Sequence, residues 1–239
     1  MAAKHIWEFK SRLRTRAFGW KNSNLARQRL KEAVAEIKCV ARTDPVTAGD
    51  GVVTLMERIW PAFQNIDTSS GALGGVVCWA PQKLLPIASA AAADRKTRDR
   101  WLDPLWEAVE DDGVDYLSVI RDRWGELCGS CEVASRWADR FLGLLRAAWS
   151  DPRPGNYLRG TSVCLSSLLG AGRHEELFGA LALLRFAFWH YRNSVYRRCL
   201  SEGRTEEALA YAEASRGLNQ PDASIDAACE KILRSRSSG

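Results

Sequence analysis

The sequence predicts an all-α protein, a right-handed stack of antiparallel helical hairpins, on three observations. The first is a phrase written twice. Leu168-Leu169-Gly170-Ala171-Gly172-Arg173-His174-Glu175-Glu176-Leu177-Phe178 aligns with Cys199-Leu200-Ser201-Glu202-Gly203-Arg204-Thr205-Glu206-Glu207-Ala208-Leu209 at a displacement of 31 residues. In each copy an apolar run ends, Gly-Arg turns the chain, and a Glu-Glu pair opens the next amphipathic run. The second observation is helical periodicity along nearly the whole chain. The third is the scarcity of strand signals: β-branched residues alternate over no long window, and no Asn-Gly or Asp-Gly turn stands between two alternating runs.

The elements follow in order. Leu25, Leu30, Val34 and Ile37 share one side of a helix opened at Asn22 or Ser23 and ending near Arg42. Asp44-Pro45 supplies an N-cap and a proline at the first helical position, so a second helix runs to about Trp60-Pro61. Ser69-Ser70-Gly71 starts an Ala- and Gly-rich run to Ala93. Pro81 and Pro86 within it each remove a backbone donor, which predicts a kink or two shorter helices. Helices near Thr97–Glu110, Val114–Cys128 and Cys131–Trp149 follow, the first with an alternative start at Asp103-Pro104.

The segment 151–156, Asp-Pro-Arg-Pro-Gly-Asn, is the strongest breaker in the chain. It separates an N-terminal helical region, 1–150, from a repeat region, 157–233. There the pattern predicts helices over Tyr157–Gly170, His174–Trp189, Tyr191–Ser201, Thr205–Gly217 and Asp222–Leu233, with a frayed polar tail over 234–239.

Composition bounds the class. Apolar residues at 46% and charged residues at 26% are those of an ordinary folded soluble protein. No apolar stretch approaches the roughly 20 residues of a membrane helix. Met1-Ala2-Ala3-Lys4-His5 leads into charged residues where a signal peptide would need an apolar core, so the cytoplasm is the expected compartment. Seven cysteines, mostly isolated at apolar positions, indicate no disulfide framework. The net charge of +5 is uneven: eleven Lys or Arg against Glu8, Glu32 and Glu36 give residues 1–42 about +8, leaving about −3 for the rest.

The segment Glu202–Glu213, Glu-Gly-Arg-Thr-Glu-Glu-Ala-Leu-Ala-Tyr-Ala-Glu, resembles the hairpin of tetratricopeptide-like repeats, in which the small Ala208 and Ala212 let two helices approach closely. The 31-residue spacing is slightly under the 34 residues of that repeat, and its leading Trp and trailing Pro are missing, so the likeness is to the superfamily of α-solenoids. It spans roughly Gly160 to Leu233. Phrases such as Ala17-Phe18-Gly19-Trp20, Trp124-Gly125-Glu126-Leu127-Cys128 and Phe188-Trp189-His190-Tyr191-Arg192 are similar to stretches of uncharacterised bacterial helical-repeat proteins. That resemblance implies a solenoid and brings no activity with it.

Catalytic chemistry finds little footing. Cys128-Gly129-Ser130-Cys131 is a C-x-x-C without the two further ligands of a zinc site or the βαβ setting of a redox motif. His5, His174 and His190 stand in unrelated contexts. Glu175-Glu176 and Glu206-Glu207 suit helix N-termini, where carboxylates meet the positive end of the macrodipole. Gly71, Gly74 and Gly75 lack the spacing of a phosphate loop. We therefore expect no enzyme, no metal and no cofactor.

Two interaction readings remain. In the first, the repeats present a groove to a protein or peptide partner through side chains on their inner helices: Tyr157, Arg159, Tyr191, Arg192, Tyr196, Arg197 and Arg198. In the second, the basic aromatic N-terminus binds nucleic acid. Lys10, Arg12, Arg14, Arg16 and Lys21 would track phosphates while Phe18 or Trp20 stacks on a base. The competing structural role for that segment is a basic helix whose Trp7, Phe9, Leu13 and Phe18 dock onto the helical body. Ten tryptophans, most at helical spacing, serve either interhelical packing or partner contacts.

Overall fold

The computed structural model describes residues 5–66, 72–151, 158–184, 189–216 and 223–237, and among them the chain is helical without a strand. Two units form, Met1–Ala134 and Ser135–Gly239. The first contains α1 (Phe9–Arg12), α2 (Ser23–Val40), α3 (Pro45–Phe63), α4 (Ala72–Ala90), α5 (Arg95–Asp111), α6 (Ser118–Asp122) and α7 (Trp124–Cys128). Helix α3 starts where the sequence places it, because the Asp44 carboxylate accepts from the Thr47 backbone N–H at 2.9 Å and its hydroxyl at 2.6 Å, with Pro45 beside it. Asp94 opens α5 in the same way, accepting from the Thr97 N–H at 2.8 Å, and the helix runs through Pro104 without a second start.

Helix α4 packs on α2 and α3, and α3 packs on α5. Leu30, Val34 and Ile37 of α2 are buried as their spacing requires, whereas Leu25 lies 43% exposed. Of the kink or division expected at Pro81 and Pro86, the division does not occur: one element, Ala72–Ala90, spans both prolines. Val77, Ala80, Leu84, Leu85 and Ala88 bury one side of it, and this packing outweighs the lost donors. The expected start at Ser69-Ser70-Gly71 lies outside the described residues.

The single helix expected over Val114–Cys128 is instead two short ones. Buried Asp112 accepts from the backbone N–H of Leu117 at 2.7 Å and of Val114 at 3.2 Å, and Asp115 takes φ 61. Local side-chain bonding of this kind offers the backbone an alternative to a helical start.

Arg98, on α5, is 4% exposed and holds two helix ends together. Its guanidinium donates to the carbonyls of Ala88 (2.6 Å), Ser89 (3.2 Å) and Ala91 around the end of α4, and to Leu127 (3.0 Å) at the end of α7. These are the orphan acceptors that a helix C-terminus leaves open. Gly129 follows at φ 69, and a Cβ there would meet Arg98 Nε at 2.7 Å.

The second unit contains most of α8 (Cys131–Ser150), then α9 (Thr161–Gly170), α10 (His174–Ala182), α11 (Trp189–Ser201), α12 (Thr205–Glu213) and α13 (Ala223–Ser237). Helix α9 packs on α10 and α11, α11 on α12, and α12 on α13. The chain thus divides earlier than the breaker at 151–156, most of which lies outside the described residues. The reason is visible in α8: Ala138 accepts from the Cys164 thiol at 3.7 Å, and Ser135 and Asp139 accept from Arg173.

Several expected boundaries move, and Trp189, expected to close the helix from His174, belongs to α11. Helix α9 begins at Thr161 after a turn at Arg159-Gly160, α10 stops at Ala182, and α12 stops at Glu213, where Ser215 Oγ donates back to the Tyr211 carbonyl at 2.7 Å. The tail expected to fray from 234 is instead helical to Ser237, with Arg234 bonded to Glu230 one turn back.

The twice-written phrase folds twice in the same way. Gly172 and Gly203 take φ 72 and 71, and the following Arg173 and Arg204 take φ −83, ψ 63 and φ −82, ψ 62. The Arg173 N–H returns to the Leu168 carbonyl at 3.0 Å and the Arg204 N–H to Cys199 at 2.8 Å. Each arginine then bonds the glutamate three residues on, Glu176 or Glu207, which places the carboxylate in the first helical turn.

Candidate functional site

The N-terminal segment is a docked structure. Trp7, Phe9, Leu13 and Phe18 are buried, Phe18 against Phe63 with ring centroids 5.5 Å apart. Arg58 of α3 donates to the carbonyls of Lys10 (3.3 Å) and Leu13 (3.2 Å), and Glu36 of α2 accepts from the N–H groups of Glu8 (2.8 Å) and Phe9 (3.2 Å). Phe18, expected as a base-stacking residue, serves the core at 3% exposure and is not free to stack. Trp20, two residues on, is 65% exposed.

The cations divide likewise. Arg12 is bonded to Glu8 at 3.2 Å and to Glu32 at 3.1 Å, while Glu32 also takes Arg29 at 2.7 Å, an arrangement that holds its carboxyl below the usual range. Arg14, Arg16 and Lys21 are exposed and have no partner among the described residues. Lys10 is exposed too, but lines a different feature.

That feature is a hollow of about 920 Å³ between the N-terminal segment, α3 and α5, lined by His5, Trp7, Lys10, Asp50, Glu57 and Trp101 among others. Asp50 is committed, accepting from Trp101 Nε1 at 2.5 Å and from Arg100 at 2.9 Å. Glu57 carries a raised carboxyl pKa, from desolvation first and from Glu107 second, which Arg58 and Lys10 oppose. Nothing in the sequence signals this hollow, because its three walls lie in stretches around residues 5–10, 47–57 and 100–104, far apart in the chain.

In the second unit the expected groove is not one surface. Helix α9 buries Thr161 and every residue from Val163 to Leu168, leaving only its second position and its end partly open. Tyr157 lies outside the described residues, and Arg159 is half-buried in the turn before α9. Tyr196 is 5% exposed, donates to the Ala228 carbonyl at 2.9 Å and packs edge-on to Trp189, so it belongs to the interior.

The remaining groove candidates are half-buried on α11. Tyr191 tilts against Trp149 at 5.7 Å, and Arg192 lies over the Tyr211 ring while donating to its hydroxyl at 3.1 Å. Arg197 is half-buried on the same helix, and Arg198 bonds Glu202 at 2.7 Å.

Arg198 also lies 5.9 Å from the ring of Phe178, and the two line a hollow of about 560 Å³ with Gly172, Arg173, His174 and Glu175. Phe178 is 44% exposed. His174 is held below its usual pKa, by burial first and by Arg198 second, so neutral imidazole is favoured here. Phe178 carries no distinguishing signal in sequence, since its repeat partner Leu209 is also apolar.

One pairing unseen in sequence bridges α9 and α11: Ser162 Oγ lies 3.0 Å from His190 Nε2. The seven thiols are free, with Cys128 buried and Cys131 exposed at the C-x-x-C, and burial pushes the Cys164 thiol up to about 12. Among the described residues no three His, Cys, Asp or Glu side chains gather as a metal-holding group, and no helix is long and apolar enough to cross a membrane. Comparison with protein-family profiles, curated proteins and solved structures finds no match to this chain.

Proposed function

We propose that this protein is a non-enzymatic interaction scaffold, a tetratricopeptide-like right-handed stack of hairpins that takes a protein or peptide partner at the edge of its first repeat turn. The observation that carries the reading is the turn made twice with the same dihedrals and the same Arg-to-Glu bond. A chain that repeats a hairpin and packs each on the next builds a surface by translation, and such surfaces take partners through the side chains they line up. The groove moves from the inner face of α9 to the hollow around Phe178, His174 and Arg198. An exposed aromatic ring flanked by a guanidinium combines two residue classes enriched at protein interfaces.

A photo-crosslinking amino acid placed at Phe178, and in a second variant at the exposed Ala35 of α2, tests this in the source cell. Discrete protein adducts at 178 and none at 35 are expected. The absence of adducts at 178, or the same products at both positions, would remove the scaffold reading. The non-enzymatic part has its own check at Ser162, which has a base at hydrogen-bond distance. A fluorophosphonate probe should leave Ser162 unlabelled, and covalent labelling abolished by His190→Ala would make the pair a catalytic one.

A further inference from the structure

We infer that the loop from Arg14 to Lys21 is a binding site for single-stranded nucleic acid, with Trp20 as a stacking platform and Arg14, Arg16 and Lys21 as phosphate contacts. It lies on the unit that the scaffold reading does not use, and shares no residue with the hollow at Phe178.

The argument starts from how the segment spends its acids. Residues 1–42 contain three glutamates. Glu36 caps α1 through the backbone of Glu8 and Phe9, while Glu8 and Glu32 both take Arg12. Every carboxylate of the segment is thereby engaged at the α1–α2 contact. The cations that follow in the chain, at 14, 16 and 21, meet no carboxylate among the described residues and face solvent.

The loop is also tied down at several points. Its backbone closes two turns, Ala17 N–H to the Arg14 carbonyl and Asn22 N–H to the Gly19 carbonyl, each at 3.0 Å. Arg16, at φ 54, donates its own N–H to the Pro61 carbonyl at 2.8 Å, and Phe18 anchors the loop in the core. Trp20 is therefore carried on a braced stretch of backbone, which has less ordering entropy to lose when a ligand stacks on the indole.

An exposed indole set among unpaired cations is the pairing that single strands require, since bases offer a π-face and phosphates a charge whatever the sequence. Reading a duplex through its major groove would need a helix or ribbon, and this loop is neither. A membrane surface would need an apolar helix face beside the cations. The exposed positions of α2 are Asn24, Leu25, Gln28, Lys31, Ala35, Lys38 and Cys39, with Leu25 their single large apolar member.

The test uses the full chain and fluorescence anisotropy of labelled oligo(dT) and oligo(U) of about 16 nucleotides, the upper site size of a single binding fold. A salt series from about 50 to about 300 mM follows the charge component. The charge variant is Arg14→Gln/Arg16→Asn/Lys21→Gln, with Asn at 16 because it tolerates positive φ. We expect it to reduce the slope of log K against log salt by about 2. Trp20→Ala should weaken binding roughly 5- to 100-fold with the slope unchanged, and Trp20→Phe should restore much of it.

Thermal melts matching the parent chain establish that the variants are folded. The inference is overturned by no binding at the lowest salt, by binding that neither variant weakens, by duplex binding as tight as single-strand binding, or by capture on phosphatidylserine vesicles without capture of oligonucleotide. None of these outcomes bears on crosslinking at Phe178, so the two proposals fail separately.

Discussion

Arg98 carries a buried positive charge that is met by carbonyl oxygens, which supply partial charge from two helix C-termini. Burial lowers its pKa, but the guanidinium remains a cation at any physiological pH. Replacing it leaves several buried acceptors without donors, and that desolvation cost exceeds the net worth of the bonds themselves. Arg98→Met should therefore lower the free energy of unfolding by about 3 kcal/mol, read as a shift in urea midpoint with an unchanged slope. Arg98→Lys should recover little, because an ammonium cannot fork to carbonyls on both α4 and α7. A loss below about 1 kcal/mol for Arg98→Met would mean that water replaces the side chain at those carbonyls.

At the scale of elements, the two repeat turns permit a matched comparison. Gly172 and Gly203 have positive φ and open space where a Cβ would stand, so an alanine at either site meets only the backbone penalty of about 1 kcal/mol. Gly129 has the same φ, but its Cβ would press on Arg98. Gly129→Ala should cost clearly more than Gly172→Ala or Gly203→Ala, and those two should agree within about 0.5 kcal/mol. Unequal costs at 172 and 203 in thermal or urea unfolding would show that the turns are alike in sequence and dihedral only.

What the sequence discloses and what it hides also divides along elements. The cap at Asp44, the stripe through Leu30, Val34 and Ile37, and the hairpin turns were legible because each depends on neighbours within one or two helical turns. The break at Asp112, the continuous α4 across Pro81 and Pro86, and the burial of α9 depend on what packs from elsewhere. Arg98 reads as one more surface cation in the run Arg95-Lys96-Thr97-Arg98-Asp99-Arg100. At the N-terminus, composition marked the basic aromatic segment but gave no means of sorting Phe18 from Trp20 or Arg12 from Arg14.

Across the whole molecule the ionic design is a partition. Arginine bonds hold the carboxyls of Glu32, Glu176, Glu202, Glu207 and Glu213 below their ordinary value, while cap bonds from Thr47 and Thr97 do the same for Asp44 and Asp94. Each such group binds protons more weakly folded than unfolded, so its contribution is complete above the unfolded value of about 4.5 for glutamate and is lost as pH falls through the folded one. These pairs lie at the surface, where solvent and salt reduce each to a small contribution, and the effect is one of number. Acid also exposes the other side of the partition: as 29 carboxylates are neutralised, 34 Lys and Arg remain, most densely in the N-terminal segment. The melting temperature should accordingly hold nearly level from about pH 8 to pH 5 and fall below about pH 4.5. Glu176→Gln/Glu207→Gln removes the carboxylate from both repeat turns, so it should melt lower than the parent at neutral pH and decline less steeply in acid. A melting temperature that rises on acidification through that range would mean that the paired carboxylates oppose folding, and that the Arg-to-Glu bonds at the two turns are incidental to it.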